Sequence, residues 1–248
     1  NTKAKLVKKK SAVSLDEIKL QLSRLDLPKG KFKASLAGKA EAVIAEIKKA
    51  SPSAGIISDN FDPIQKAQEY EAFGAAALSI LTEEDFFLGS NQYLKDVKAI
   101  TSLPILRKDF MVDEYQIYEA KLIGADCILL IASILSDIEI TDFVALAEVL
   151  ELDYLIEVHD AEELQRVEHF NNALIGVNNR NLKTFEVDIN NSVNLKNSFS
   201  GDNIFIAESG IKNKDDLSYL KERGISVFLI GESCLLYTSD AADDQASV

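Results

Sequence analysis

Residues 42–53 read AVIAEIKKASPS. The first four are small or β-branched apolar residues, and a strand through them puts every second side chain on the same face. Ile44, Glu46 and Lys48 then point one way, an apolar residue deep and two opposite charges at the strand's carboxyl end. A polar loop, Ser51-Pro52-Ser53, follows at once. A carboxylate and an ammonium are costly to desolvate unless they are paired or used. In chains that alternate strands with helices, that end of the strand is where chemistry is placed.

Outward from this stretch the same unit recurs. Short β-prone apolar runs fall near 42–48, 76–81, 104–108, 126–131, 153–157, 173–178, 203–207 and 226–230. Amphipathic stretches at 63–73, 91–100, 114–123, 137–150, 161–169 and 213–222 fill most of the gaps. The alternation predicts an α/β chain folded as a closed parallel (β/α)8 TIM barrel, not an open doubly wound sheet. No GxGxxG follows the first strand, which argues further against a dinucleotide fold. Asp160 followed by Glu163 reads as a capping box opening a helix. Gly74, Gly124 and Gly224 sit where helices end, in three copies of one helix-to-strand junction. Residues 14–25 predict an extra helix before the first strand, covering the barrel bottom or leaning over its mouth. The expected division is a basic N-terminal extension over 1–33, a barrel over 34–233 and a tail over 234–248.

The chain has 248 residues and a formal net charge of −13. Residues 1–33 carry ten Lys/Arg against three Asp/Glu, so the remainder is strongly acidic. That majority argues against a nucleic-acid groove, and Lys8-Lys9-Lys10, with no interleaved aromatic residue, reads as the solvated face of a leading helix. No apolar run reaches the ~20 residues of a membrane helix and no secretory h-region stands near the start, so a cytoplasmic protein with no membrane partner is expected. Cys127 and Cys234 give neither a disulfide framework nor metal spacing, and Cys127 reads as a buried small hydrophobe.

At the carboxyl ends of the strands stand Glu46 and Lys48; Thr82, Glu83 and Glu84; Arg107, Lys108 and Asp109; Glu157 and His159; Asn178 and Arg180; Glu208 with Ser209-Gly210; and Gly231-Glu232. Two lysines, several carboxylates and an asparagine converging on one opening make an acid–base site. Lys108 could pair with Asp109 at the surface, but alternation from Leu106 points it inward. Glu157, on the face of Leu155, suits proton transfer. His159 is either a base or part of the loop structure beside the helix cap. Glu83-Glu84-Asp85 reads as a solvated acidic loop and not as a metal cluster. Phe86-Phe87 either packs an aromatic substrate at the rim or staples the loop down. Glycines after the last two strands allow close backbone approach to an anion, so phosphate is expected there, Glu232 contributing its backbone alone.

The runs EIKKASPS, LTEEDFFLGS, PILRKDF, LIEVHD, IGVNNRNL, AESGI and LIGES, in that order from residue 46 to 233, resemble the indole-3-glycerol phosphate synthase family. The resemblance implies ring closure, decarboxylation and dehydration of 1-(2-carboxyphenylamino)-1-deoxyribulose 5-phosphate. The reaction belongs to tryptophan biosynthesis and needs no metal or cofactor. By the same resemblance Lys108 is the general acid, Glu157 its proton-handling partner, Lys48 the second catalytic lysine and Glu46 the group that orients it. Asn178, Arg180 and Ser51 would hold the substrate's carboxylate and hydroxyls. Phe87, Phe110, Leu129 and Leu182 would wall its ring, and Glu208 would support the mouth. Ser209, Gly210, Gly231 and Glu232 would cradle phosphate. A tryptophan-pathway partner or fusion is a further expectation.

After Ser233 the chain departs from the family's pattern. Residues 234–244 resemble a translated sequencing adapter, so the barrel's closing helix is expected to be missing or replaced by foreign sequence. Two rival readings stand beside the resemblance: another phosphate-binding barrel enzyme, such as a phosphosugar isomerase or the tryptophan synthase α subunit, and a barrel that binds without turnover.

Overall fold

The computed structural model describes residues 2–52, 55–57, 60–181 and 184–231, with residues 2–4 as backbone alone. Eight parallel strands close a barrel. They are β1 (Ala42–Ile47), β2 (Ala77–Leu81), β3 (Ile105–Lys108), β4 (Cys127–Ile131), β5 (Asp153–Val158), β6 (Leu174–Asn178), β7 (Phe205–Glu208) and β8 (Val227–Ile230). Each pairs with its neighbour in sequence, and β1 closes the ring on β8 with Ala42 opposite Val227. The expected barrel is observed, each strand where the apolar runs placed it.

Helices α1 (Thr2–Ala12), α2 (Leu15–Leu22) and α3 (Phe32–Leu36) precede the barrel. The connections carry α4 (Pro63–Ala72), α5 (Asn91–Lys98), α6 (Glu114–Leu122), α7 (Asp137–Val149), α8 (Ala161–Val167), α9 (Asn190–Ser198) and α10 (Lys214–Lys221). Side-chain oxygens of Asp62, Ser90, Asp113, Ser136, Asp160 and Asn213 accept from the first free N–H groups of their helices, which is why those helices begin there. At Asp160 the expected capping box is only half formed. Asp160 accepts from the Glu163 N–H, but the Glu163 carboxylate reaches one residue further back, to the His159 N–H. Gly74, Gly124 and Gly224 take positive φ, as the junction reading required.

Alternation divides each strand between two cores. Outward residues such as Leu78, Ile80, Ile105, Ile128, Ile156 and Val177 are buried beneath the helices. Inward residues Ile44, Leu106, Cys127, Leu129, Leu155, Leu174, Ile206 and Leu229 fill the barrel interior. Helix α3 adds Phe32 and Leu36 to that interior, each contributing about 1.5–3 kcal/mol by burial. It is anchored at the amino end of β5, where the Lys33 N–H donates to Asp153 Oδ2 at 2.9 Å. The bottom is therefore plugged with apolar side chains, and inward charges have only the carboxyl end to occupy.

Helix α2 takes neither of its two expected places. It packs along α6, with Ile18 and Leu6 of α1 against Tyr115. Helix α1 runs toward the mouth and is less solvated than expected: Lys5 bonds Glu84 and Asp85, and Lys10 bonds Asp113 at 2.7 Å. Among the described residues no helix is long and apolar enough to cross a membrane.

Candidate active site

The inward side chains at the barrel mouth form one charged cluster. Lys108 Nζ, at the end of β3, donates to Glu208 Oε2 of β7 at 2.5 Å. It also lies 3.8 Å from Glu157 Oε2 of β5 and 3.9 Å from Glu46 Oε2 of β1. Lys48 bonds the other oxygen of Glu46. Asn178, at the end of β6, donates from Nδ2 to Glu157 Oε1 at 3.1 Å, and its Oδ1 accepts the Arg180 N–H. The structure thus places Lys108 inward and away from its neighbour Asp109. Glycine at position 176 makes room for the cluster: a Cβ there would fall 2.1 Å from Glu208 Oε1.

The electrostatics follow from three buried carboxylates sharing two ammonium groups. Burial works against the charged form of Lys108, but Glu208, Glu157 and Glu46 overcome it and hold the ammonium well above lysine's ordinary pKa. Burial likewise opposes ionisation of Glu46, yet Lys48 and Lys108 bring its carboxyl below the ordinary range. Glu208 goes the other way. Its burial, reinforced by the charges of Glu157 and Glu46 and opposed by Lys108, pushes it up to about 7. Its side chain is 1% exposed and Oε1 has no hydrogen-bond partner among the described residues.

Beside this cluster stands an aromatic wall. The Phe110 ring is 6.4 Å from that of Phe87 and 6.3 Å from that of Phe86, edge-on to the latter. Leu129 lies deeper, buried on the inner face of β4. The loop carrying Phe86 and Phe87 is held by Glu83, which is buried and accepts the N–H groups of Asp85, Phe86 and Phe87. Glu83 is therefore a loop clamp, not the solvated acid expected; Glu84 and Asp85 alone keep that exposed character.

Arg107, expected at the opening with Lys108 and Asp109, lies on the other side of the strand instead. It faces outward from β3 and is fully buried. Its Nε donates to Thr82, Nη1 to the Gln116 carbonyl, and Nη2 to Asp109 and Glu119. The signal for it was present: a charge on the face of a barrel strand that should be apolar.

At the ends of β7 and β8, Ser209 and Gly210 both take left-handed φ, 65° and 82°. A Cβ on Gly210 would meet Val187 Cγ1 at 2.2 Å, so only glycine fits. A cavity of about 340 Å³ opens beside Lys48, lined by Glu46, Ile57, Phe61, Lys66, Tyr70 and Gly231 among others. Arg180 Nη1 donates to the Phe185 carbonyl across the loop after β6. Ser51 belongs to a short antiparallel pair, Ala50–Ser51 with Gly55–Ile56, after β1. Leu182, Glu232 and residues 234–248 lie outside the described residues.

Three comparisons bear on this site. The family profile described as indole-3-glycerol phosphate synthase matches residues 1–246, and so runs across the segment after Ser233 that the sequence reading set apart. An indole-3-glycerol phosphate synthase of Ruminiclostridium cellulolyticum is 47% identical over 250 residues, covering 100% of this chain and 95% of its own. One of Clostridium acetobutylicum is 46% identical, covering 96% and 90%. Among solved structures, the N-acetylmannosamine-6-phosphate 2-epimerase of Clostridium perfringens aligns with a TM-score of 0.60 over 83% of this chain and 91% of its own. At 14% identity that likeness shows the fold alone.

Proposed function

The chain belongs to the indole-3-glycerol phosphate synthase family, and from that premise we propose which of its side chains carry the reaction. The reaction converts 1-(2-carboxyphenylamino)-1-deoxyribulose 5-phosphate to indole-3-glycerol phosphate by ring closure, decarboxylation and dehydration, a step of tryptophan biosynthesis. An aromatic carbon is a weak nucleophile, so the carbonyl it attacks needs a proton donor held in place. Lys108 is that donor. The observation that carries this reading is its ammonium within 4 Å of carboxylates from three other strands, which fix its position and keep it charged.

Closure leaves a cationic ring that sheds CO2 without a dedicated base, given a relatively apolar wall; Phe87, Phe110, Leu129 and Leu182 supply it. The hydroxyl then leaves as water while a carbon-bound proton is lost. Glu157, aimed by Asn178, takes that proton, and Lys48, oriented by Glu46, assists the departing hydroxyl. Arg180 and Ser51 hold the substrate's carboxylate and hydroxyls, and Glu208 sets the position of Lys108. The phosphate sits at Ser209, Gly210, Gly231 and Glu232; the left-handed turn at Ser209 and Gly210 suits an anion, and Gly231 lines the cavity beside Lys48. We place the protein in the cytoplasm, acting on this small phosphosugar substrate, with a tryptophan-pathway enzyme as its partner or its fusion in the gene.

The test is indole fluorescence on adding the substrate to the chain. The account expects a substrate-dependent rise with CO2 release in equal amount; a barrel that only binds gives neither.

A further inference from the structure

The turn after β7 carries a residue that does not suit its own backbone. Ser209 has φ 65°, in the left-handed region where a side chain costs free energy and only glycine sits freely. Unrestrained, Ser209 would relax to negative φ and swing its carbonyl. A peptide bond is planar and trans, so that carbonyl and the Gly210 N–H point in opposite directions. Whatever fixes the Ser209 carbonyl therefore fixes where the Gly210 N–H aims. That N–H meets no hydrogen-bond acceptor among the described residues.

Asn179 supplies the fixed point. It follows β6, between Asn178 and Arg180, and its side chain turns away from Glu157 toward α9, where it is 4% exposed. Nδ2 donates to the Ser209 carbonyl at 3.2 Å. Oδ1 accepts the Ser192 N–H at 3.0 Å and the Ser192 hydroxyl at 2.8 Å. The partners settle which way the amide faces, since a backbone N–H only donates and a carbonyl only accepts. The backbone of Asn179 is tied as well. Its N–H donates to the Glu208 carbonyl at 2.9 Å, and its own carbonyl accepts the Asp188 N–H at 3.0 Å. Gly210 packs against Val187, which bridges back to Arg180. Asn179 is thus a buried arm, anchored at α9 and at β7, whose amide reaches one carbonyl of the turn.

We propose that Asn179 is a positioning residue for the substrate's phosphate: by holding the Ser209 carbonyl it keeps the Gly210 N–H turned toward the anion. This rests on the placement of phosphate at Ser209 and Gly210 given above, and it adds a residue that itself touches no part of the substrate. Without the bond from Nδ2 the carbonyl is free to rotate toward the phosphate. An acceptor then faces the anion where a donor stood, and attraction is replaced by repulsion. The neighbouring residues divide the work: Asn178 aims Glu157, and Asn179 aims the turn.

The test measures kcat/KM for the substrate with and without its 5-phosphate, and inhibition by inorganic phosphate, in Asn179→Leu, Asn179→Asp and Ser192→Ala. Leucine is close to asparagine in size and bonds nothing. Aspartate keeps both bonds from Ser192 and lacks only the donor to Ser209, so it carries the comparison if the leucine variant does not fold. Ser192→Ala removes one bond to Oδ1 and leaves Nδ2 in place. In both Asn179 variants, kcat/KM for the phosphorylated substrate should fall about 10-fold or more, with inorganic phosphate a correspondingly weaker inhibitor. The substrate without phosphate should keep its kcat/KM within about threefold, and Ser192→Ala should stay within that range on both. Equal losses on the two substrates overturn the proposal in favour of a packing role, as does a Ser192→Ala loss that matches those at Asn179. A wild-type crystal with inorganic phosphate separates the two levels. An anion bound away from Gly210 fails the phosphate placement itself; an anion at Gly210, with no selective loss in the variants, fails Asn179 alone.

Discussion

Two buried charge clusters sit back to back on β3, and they are built to opposite rules. Facing outward, Arg107 is 0% exposed, and each of its three nitrogens donates to a partner within 3.1 Å. Facing inward, Lys108 meets three carboxylates at once, while Glu208 Oε1 and His159 Nε2 are left without hydrogen bonds among the described residues. A saturated network holds things still. It ties Thr82 at the end of β2 to Asp109 and Gln116, and Gln116 in turn donates to the Phe110 carbonyl. The under-satisfied cluster has capacity for a substrate and for moving protons. The comparison teaches that burial and charge alone do not separate scaffold from site; what separates them is how completely the polar atoms are paired.

The largest expected effect breaks the inner cluster. Lys108→Ala should leave substrate affinity within a few-fold yet lower kcat by about 10²-fold or more, read by indole fluorescence. Wild-type turnover there would refute the role. Next comes the outer cluster. Arg107→Met leaves Asp109 and Glu119 buried without their cation, a loss of about 3–5 kcal/mol in urea unfolding. A loss below about 1 kcal/mol would mean that the two clusters are not differently built.

The third prediction is smaller and depends on pH. Glu208 is pushed up to about 7 in the fold, above its ordinary value of 4.5. A group so raised favours the folded state fully below the unfolded pKa, and that contribution is lost as pH rises through the folded one. Glu208→Gln should therefore gain on wild type in thermal melts between pH 4.5 and 8, the gap opening through pH 7. A gap that stays constant over that range would contradict the crowding of carboxylates described here. The smallest effect lies at the surface. Lys5 and Glu84, paired at 3.2 Å between α1 and the loop after β2, should show only a weak coupling in a double-mutant cycle, shrinking further with salt.

Much of this was legible from residue alternation. Leu106 aimed Lys108, Leu155 aimed Glu157, and the recurrent strand-like runs located all eight strands. What the sequence hid depends on tertiary contact. Helix α9 reads NNSVNLKNS, with weak helix formers and no capping side chain before it. It is held by Asn179, whose Oδ1 accepts from both the N–H and the hydroxyl of Ser192. Helix α3 has only five residues, too short for a periodic signal, and is fixed by the burial of Phe32 and Leu36. Glu83 looked like its exposed neighbours because an acidic run does not reveal which member folds back onto the backbone. His159 could be placed in a loop, but only the unfinished capping box brought Glu163 under its ring.

The central claim is that the inward cluster, and not its outward twin, meets the substrate. The most direct measurement is a crystal structure with an unreactive analogue of the carboxyphenylamino-deoxyribulose phosphate. The account predicts the carbonyl-equivalent oxygen within hydrogen-bonding distance of Lys108 Nζ, the aromatic ring against Phe110, and the phosphate at Gly210 and Gly231. An analogue seated away from Lys108 and Glu157, with those side chains unmoved, would contradict it.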